Sequence, residues 1–247
     1  MTILQTHNLF DLIADKVGSD YWSRPQKDDF LDTAQMEYFS QLIGNLKQHQ
    51  AGRPVPVIAV GQNSRLSEEL NPFKAKVQFH AGIYDPATMP YAVENGIFVL
   101  PSNYQHMSAV VSIVNHPVAG IIERPVDDLD DEEWPRRASS SLIPTSQENG
   151  IYRWAGTAAN GNLRLEFRPK NISGNLHYYR RPLKPNYVST INPTTRVETH
   201  DANASTDLEW GEVAAFNILV RALEIAGVPQ ADDRLKAAMM QNKNESE

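Results

Sequence analysis

Seven histidines stand along the chain: His7, His49, His80, His106, His116, His177 and His200. Imidazole can carry a proton near neutral pH or ligate a metal. A metal pair needs two rings on one helix face, as in H-E-x-x-H or H-x-x-x-H, and neither spacing occurs. Each histidine is therefore expected at a surface or an interface. The chain has no cysteine. That excludes disulfide staples, thiolate-bound zinc, iron–sulfur clusters and thiol catalysis. Neither a P-loop, a G-x-G-x-x-G nor a G-x-S-x-G is present, so the common phosphate cradles and the serine elbow are missing. Ser139-Ser140-Ser141 follows Arg136-Arg137 and reads as a turn or a partner contact. Glu123 and Asp127 are the carboxylates that a hydrolase reading would use, and their spacing gives it no support.

Two charged segments remain. Asp127-Asp128-Leu129-Asp130-Asp131-Glu132-Glu133 carries enough carboxylate for calcium. It lacks the alternating acids, mid-loop glycine and distal glutamate of an EF-hand loop. A solvated acidic turn running into a short helix at Trp134 fits better. Pro169 to Val197 holds Lys170, Arg180, Arg181, Lys184 and Arg196 without an acid, interleaved with Tyr178, Tyr179 and Tyr187. Such a stretch can stack and neutralise single-stranded nucleic acid, or form half of a charge-complementary protein interface. The second reading is preferred, because the acidic run offers the opposite sign on an identical neighbour. The candidate oligomer contacts are then Asp127, Asp128, Asp130, Asp131, Trp134, Arg136, Arg137, Tyr178, Tyr179, Arg180, Arg181 and Lys184, with the acidic run and the basic stretch as the two opposed patches. No catalytic, cofactor-binding or metal residues are expected.

The elements that position these segments follow from period and punctuation. A helix is expected over 6–17, with Thr6 or Asn8 as cap and Phe10, Ile13 and Val17 on one face. A longer one runs from Pro25 to about Gln48, burying Leu31, Ala34, Tyr38 and Leu42. Phe73 to Ile83 alternates apolar and polar residues without error, which predicts a half-buried strand. Further strands are predicted at 97–100, 107–114, 119–124, 151–155, 163–168 and 176–181, with Asn160-Gly161 marking a hairpin. Pro182 and Pro185 stop the last strand or make it an edge. Thr206 and Glu209 match a capping box, followed by Val213, Phe216, Val220 and Leu223 at helical spacing. Gly227 ends that helix, and a short one is predicted from Gln230 to Met240. The expected fold is α+β, one domain over 1–247. Terminal helices (1–50 and 205–243) pack as a bundle, and a mainly antiparallel sheet or barrel (53–200) is inserted between them.

Composition narrows the class. The chain has 247 residues, 23 Lys plus Arg, 30 Asp plus Glu and a formal charge of −7. That excess argues against wrapping nucleic acid over a large surface. The longest apolar runs are as short as Ile97-Phe98-Val99-Leu100, too short to span a bilayer. No Lys or Arg precedes Lys16 and there is no apolar leader, so no secretory signal is expected.

Three segments resemble a known family. Asp28-Asp29-Phe30-Leu31-Asp32-Thr33-Ala34-Gln35-Met36-Glu37-Tyr38 is similar to the early F-L-x-x-A-Q-x-E helix of the head–tail connector and ring proteins of tailed bacteriophages. These include the podovirus tail-tubular and crAss-like types. Leu100-Pro101-Ser102-Asn103-Tyr104 resembles their l-P-x-d-Y segment. The Asp-rich turn, Trp134-Pro135-Arg136-Arg137, Pro144-Thr145 and Ile151-Tyr152-Arg153 follow in order. Asp207-Leu208-Glu209-Trp210 and the helix through Arg221-Ala222-Leu223-Glu224 are similar to the closing helix, although Trp210-Gly211 stands where P-E is commoner. The resemblance implies a dodecameric ring without enzymatic activity, bound to the portal protein and to adjacent tail or ring proteins. DNA would pass through its lumen, and the virion's head–tail interface would be its place, after assembly in the host cytoplasm. Exposed aromatics such as Trp134, Tyr178 and Tyr179 would anchor the ring contacts. A β-rich module binding a glycan or peptide is the other reading.

Overall fold

Thr2 and Gln5 set the start of the first helix. The Thr2 hydroxyl accepts the Gln5 N–H at 3.3 Å, and the Gln5 side-chain oxygen accepts the Thr2 N–H at 3.0 Å. This reciprocal cap satisfies donors that a helix start leaves open. So α1 (Ile3–Val17) begins earlier than the expected Thr6. Its buried stripe is Ile3, Phe10, Ile13 and Ala14, with Thr6 and His7 among them. These elements are seen in a computed structural model, which describes residues 1–17, 22–46, 67–82, 91–116, 120–193 and 195–228. Helix α2 (Arg24–Leu46) buries the expected Leu31, Ala34, Tyr38 and Leu42, and Phe39 widens that face as its spacing implies.

The alternating segment forms β1 (Lys74–Ala81), with Phe79 fully buried and Ala75 and Val77 packed beside it. Ile83, expected on the same face, lies outside the described residues. Next come β2 (Ala92–Val93) and β3 (Ile97–Val99). Between them Asn95 and Gly96 take φ of 53° and 86°, both positive as a tight hairpin turn of this hand requires. The chain continues through β4 (Tyr104–His116), β5 (Gly120–Pro125), β6 (Asp127–Asp128), a short α3 (Glu133–Ala138), β7 (Ile151–Thr157), β8 (Leu163–Arg168) and β9 (Gly174–Arg180). The β7–β8 hairpin turns at Asn160-Gly161 as expected, with Gly161 at φ 82°.

Two sheets result, ordered β2-β1-β9-β4-β5 and β3-β8-β7-β6. Most pairs are antiparallel; β1–β2 and β6–β7 are parallel. The sheets share one core. Phe79, Leu176 and Tyr178 from the first meet Phe98, Tyr152, Leu165 and Phe167 from the second. The Phe79 ring lies 5.3 Å from Phe98 and 5.2 Å from Phe167. Packing is close enough that a Cβ on Gly174 would stand 2.1 Å from the Val111 carbonyl oxygen. Of the two outcomes expected of its prolines, strand β9 is stopped and not made an edge. It pairs with β1 on one side and β4 on the other. Pro182 and Pro185 follow its last residue, so no ladder donor is lost.

Beyond β9 the chain makes a two-stranded hairpin, β10 (Ser189–Ile191) with β11 (Glu198–His200), and a closing helix, α4 (Glu212–Ile225). The capping box expected at Thr206 does not form. Thr206 exchanges backbone hydrogen bonds with Asn186, and Glu209 accepts the Leu183 N–H at 2.8 Å. Tertiary partners have taken both residues, and the helix starts after Gly211. The buried stripe turns accordingly. Val213 is 73% exposed, whereas Ala214, Ala215, Ile218, Leu219, Ala222 and Leu223 are buried. Gly227, at φ 81°, ends the helix as expected. The helix expected at 230–240 lies outside the described residues.

The architecture is α+β. One compact unit, Met1–Pro72 with Pro182–Glu247, collects helices from both ends of the chain; Phe73–Arg181 forms the other. The β10–β11 hairpin, expected within the inserted part, belongs with the helices.

Candidate assembly surfaces

The acidic run is exposed at Asp127, Asp128, Asp130 and Asp131, and much of it also works inside the β unit. Asp130 Oδ1 accepts the N–H groups of Glu132 and Glu133 at 3.1 and 2.8 Å, tying down the start of α3. Asp131 takes one arm of Arg153 at 3.0 Å, and Glu166 takes two others at 2.8 and 2.6 Å. The hydrogen bond to Glu166 is the main reason the Arg153 guanidinium is held above its ordinary value. That guanidinium lies 5.0 Å over the ring of Trp134. Trp134 is only 6% exposed. The expectation of an exposed anchor there is overturned: α3 is short, and Arg153 covers its indole. Desolvation pushes the Asp128 carboxyl up, partly offset by the hydrogen bond from the Tyr152 hydroxyl. Tyr152 is itself raised, by burial first and then by the charge of Asp128. Tyr104 is pushed up to about 12 by burial.

The basic stretch is divided by the fold. Arg180 and Arg181 close the β unit, whereas Lys184 and Arg196 belong to the helical one. Arg180 lies 5.5 Å over the Phe73 ring. Arg181 is exposed, and its N–H is held by the Asn103 carbonyl at 2.8 Å. Lys184 pairs with Asp29 at 2.6 Å, which holds its ammonium above the usual range. Tyr178 and Tyr179 are 4% and 8% exposed, so neither is the exposed anchor expected. They sit on a central strand, and Tyr178 packs in the shared core with the Tyr104 ring 5.9 Å away. The Tyr178 hydroxyl donates to Asn103 at 3.0 Å. On the other side of α3's first turn, Arg136 is exposed and Arg137 donates to the Ile143 carbonyl.

The hydrolase pair falls on different sheets, Glu123 on β5 and Asp127 on β6. Hydrogen bonds from Asn175 and Lys76 hold the Glu123 carboxyl below its ordinary value. Among the described residues, no group of three or more His, Asp or Glu stands close enough to hold a metal ion.

His7 corrects the expectation of surface histidines, because it is fully buried. Asp28 Oδ1 accepts its Nε2–H at 2.9 Å, and Asp28 Oδ2 accepts the Tyr187 N–H at 3.0 Å. The Tyr187 ring stacks on His7 at 4.8 Å and on His200 at 4.8 Å. The signal was present: His7 lies four residues after Ile3 and three before Phe10, on the buried stripe of a helix that starts at Ile3.

Three surface features escaped the sequence reading. The loop after α3 exposes 93% of Leu142 and 51% of Ile143. Its signal is an apolar pair between a serine run and Pro144, without helical or strand period. Trp154, midway along β7, is an exposed aromatic of the β unit and stands 6.3 Å from Tyr104. Between α2 and α4 runs an open groove of about 580 Å³ lined by Glu37, Leu42, Val220, Arg221, Glu224 and Ile225. Beside it, the segments of the phage-like pattern meet. The Trp210 indole donates to Gln35 at 3.3 Å, and its ring packs edge-on against Tyr38 at 5.3 Å and Phe39 at 6.2 Å.

No protein-family model matches the chain, and no curated protein sequence matches it. Among the described residues no helix is long and apolar enough to cross a membrane.

Proposed function

We propose that this chain is a structural subunit of the head–tail connector of a tailed bacteriophage. It forms a dodecameric ring at the portal vertex, contacts the portal protein and the adjacent tail or ring proteins, and lets double-stranded DNA pass. It works by contact and not by catalysis. The observation that carries this reading is the meeting of Gln35 and Tyr38 with Trp210. Residues that bear the resemblance at the two ends of the chain form one helical unit, with a mainly antiparallel β unit inserted between them. The charge of −7 suits a lumen through which phosphate must slide without sticking. The test is immunogold labelling of intact particles with antibody against this chain, together with negative-stain imaging of the chain mixed with the portal ring. Label at the collar and stacked rings support the reading. Label confined to the capsid shell or tail tip, or a portal that retains none of the chain, overturns it.

One observation favours the second reading, a non-catalytic module for glycan or peptide: the exposed Trp154 beside Tyr104, since sugar rings and apolar side chains stack on such faces. Calorimetric titration with a glycan and peptide panel, repeated on Trp154→Ala, separates it from the first.

A further inference from the structure

The loop after α3 holds its apolar tip in water from both ends. Arg137 binds the Ile143 carbonyl on one side. On the other, the Gln147 side-chain amide donates to the Asn171 carbonyl at 2.7 Å and its oxygen accepts the Ser173 N–H at 3.3 Å. Leu142 and Ile143 are thereby presented outward instead of folding onto the core, with Arg136 exposed in the last turn of α3 nearby. An anchored apolar tip of this kind marks a contact surface more strongly than a scattered exposed leucine does.

The α2–α4 groove is its counterpart in chemistry. Leu42, Val220 and Ile225 make its apolar lining, and Glu37 and Glu224 supply negative charge. Its own cation, Arg221, bonds Gln41 and lies 5.7 Å from the Tyr38 ring within the same lining, which leaves two carboxylates against one guanidinium. About 580 Å³ leaves room for a pair of branched aliphatic side chains. A tip of one copy seated in the groove of another leaves that second copy's own tip free for a third. Repeated in that way the contact is head-to-tail, the type that closes into a ring.

We infer that Leu142 and Ile143 of one copy seat in the α2–α4 groove of a second copy, with Arg136 facing Glu37 and Glu224. The inference rests on the ring reading and names one contact within it. Sedimentation velocity and mass photometry of the full chain test it, using a tip variant (Leu142→Asp with Ile143→Asp) and a groove variant (Glu37→Lys with Glu224→Lys). Circular dichroism checks that both remain folded, and Leu142→Ser serves if the aspartates disturb the loop. The wild type is expected to associate, and each variant alone to lose at least about tenfold in affinity. An equimolar mixture of the two should stop at one-to-one pairs, because each supplies the half the other lacks. Variants that assemble like the wild type, or a mixture that yields no pairs, overturn the contact and leave the ring reading standing. A wild type that stays monomeric up to about 1 mM overturns the contact and weighs against the ring reading as well.

Discussion

The helical unit and the β unit are held together by different means. The β unit buries a continuous apolar core in which Phe79, Phe98 and Phe167 touch one another across two sheets. The helical unit places polar groups inside. The Asp28 carboxylate joins α1, α2 and the segment before β10 through His7 and the Tyr187 N–H. Asp207 accepts the Ile3 N–H at 2.6 Å, and Gln35 links Trp210 to the Leu183 carbonyl. The β unit is one continuous stretch of chain, and hydrophobic area is enough to gather it. The helical unit assembles pieces from both termini. Buried hydrogen bonds add little net stability, but they penalise every packing that leaves a partner unmet. They therefore select one arrangement of segments that apolar area alone would not distinguish.

The largest expected effect tests the apolar side. Phe79→Ala should cost about 3–5 kcal/mol in denaturant melts, and a loss under about 1 kcal/mol would mean that the β core does not depend on it. Next is alkaline pH. Tyr104, ordinarily at 10.0, is pushed up to about 12 by burial, and Tyr152 is raised for the same reason. The folded form favours neutral phenol, so this contribution is complete below about pH 10 and is lost as pH rises toward 12. For Tyr104 the loss is roughly 3 kcal/mol. Urea midpoints measured across that window should fall, and the fall should flatten in Tyr104→Phe. On the polar side, Asp28→Ala strips the acceptor from two buried donors, at about 1–3 kcal/mol for each. Hydrogen exchange should quicken in α1 and around Tyr187 while β1 and β9 keep their protection. Equal loss in both units would erase the contrast. The smallest change is Thr2→Ala, about 1 kcal/mol from the cap of α1, visible as earlier fraying of that helix alone.

Where a segment's environment is set by its own period, the sequence was readable. The alternation from Phe73 to Ala81, the buried Leu165 and Phe167 of β8, the Asn160-Gly161 turn and the buried face of α2 stand as expected, while Leu163 at the start of β8 is exposed. Partners remote in sequence undid the rest. Thr206 and Glu209 have the spacing of a cap, but Asn186 and Leu183 compete for them more effectively. Tyr178 and Tyr179 stand directly before Arg180 and Arg181 in sequence and look exposed, yet β9 is a central strand and both rings are buried. Trp134 stands in a run of acids and is hidden by Arg153 from another strand. Of the candidate contacts, Asp127, Asp128, Asp130, Asp131, Arg136, Arg181 and Lys184 lie at the surface. The tip at Leu142–Ile143 and the groove beneath α4 were not foreseen, because a loop carries no period and a groove exists only once two helices have met.

By itself, the sequence determined the α+β class, the helical ends and the β middle, the negative charge and the lack of thiol chemistry. These depend on composition and on repeats of two or 3.6 residues, which each segment carries alone. Tertiary structure alone decided that Asp28 is the partner of His7, that β9 is central and which aromatics reach water. Those outcomes are set by contacts between residues tens to hundreds of positions apart, and no local pattern encodes which of the available partners will close on them.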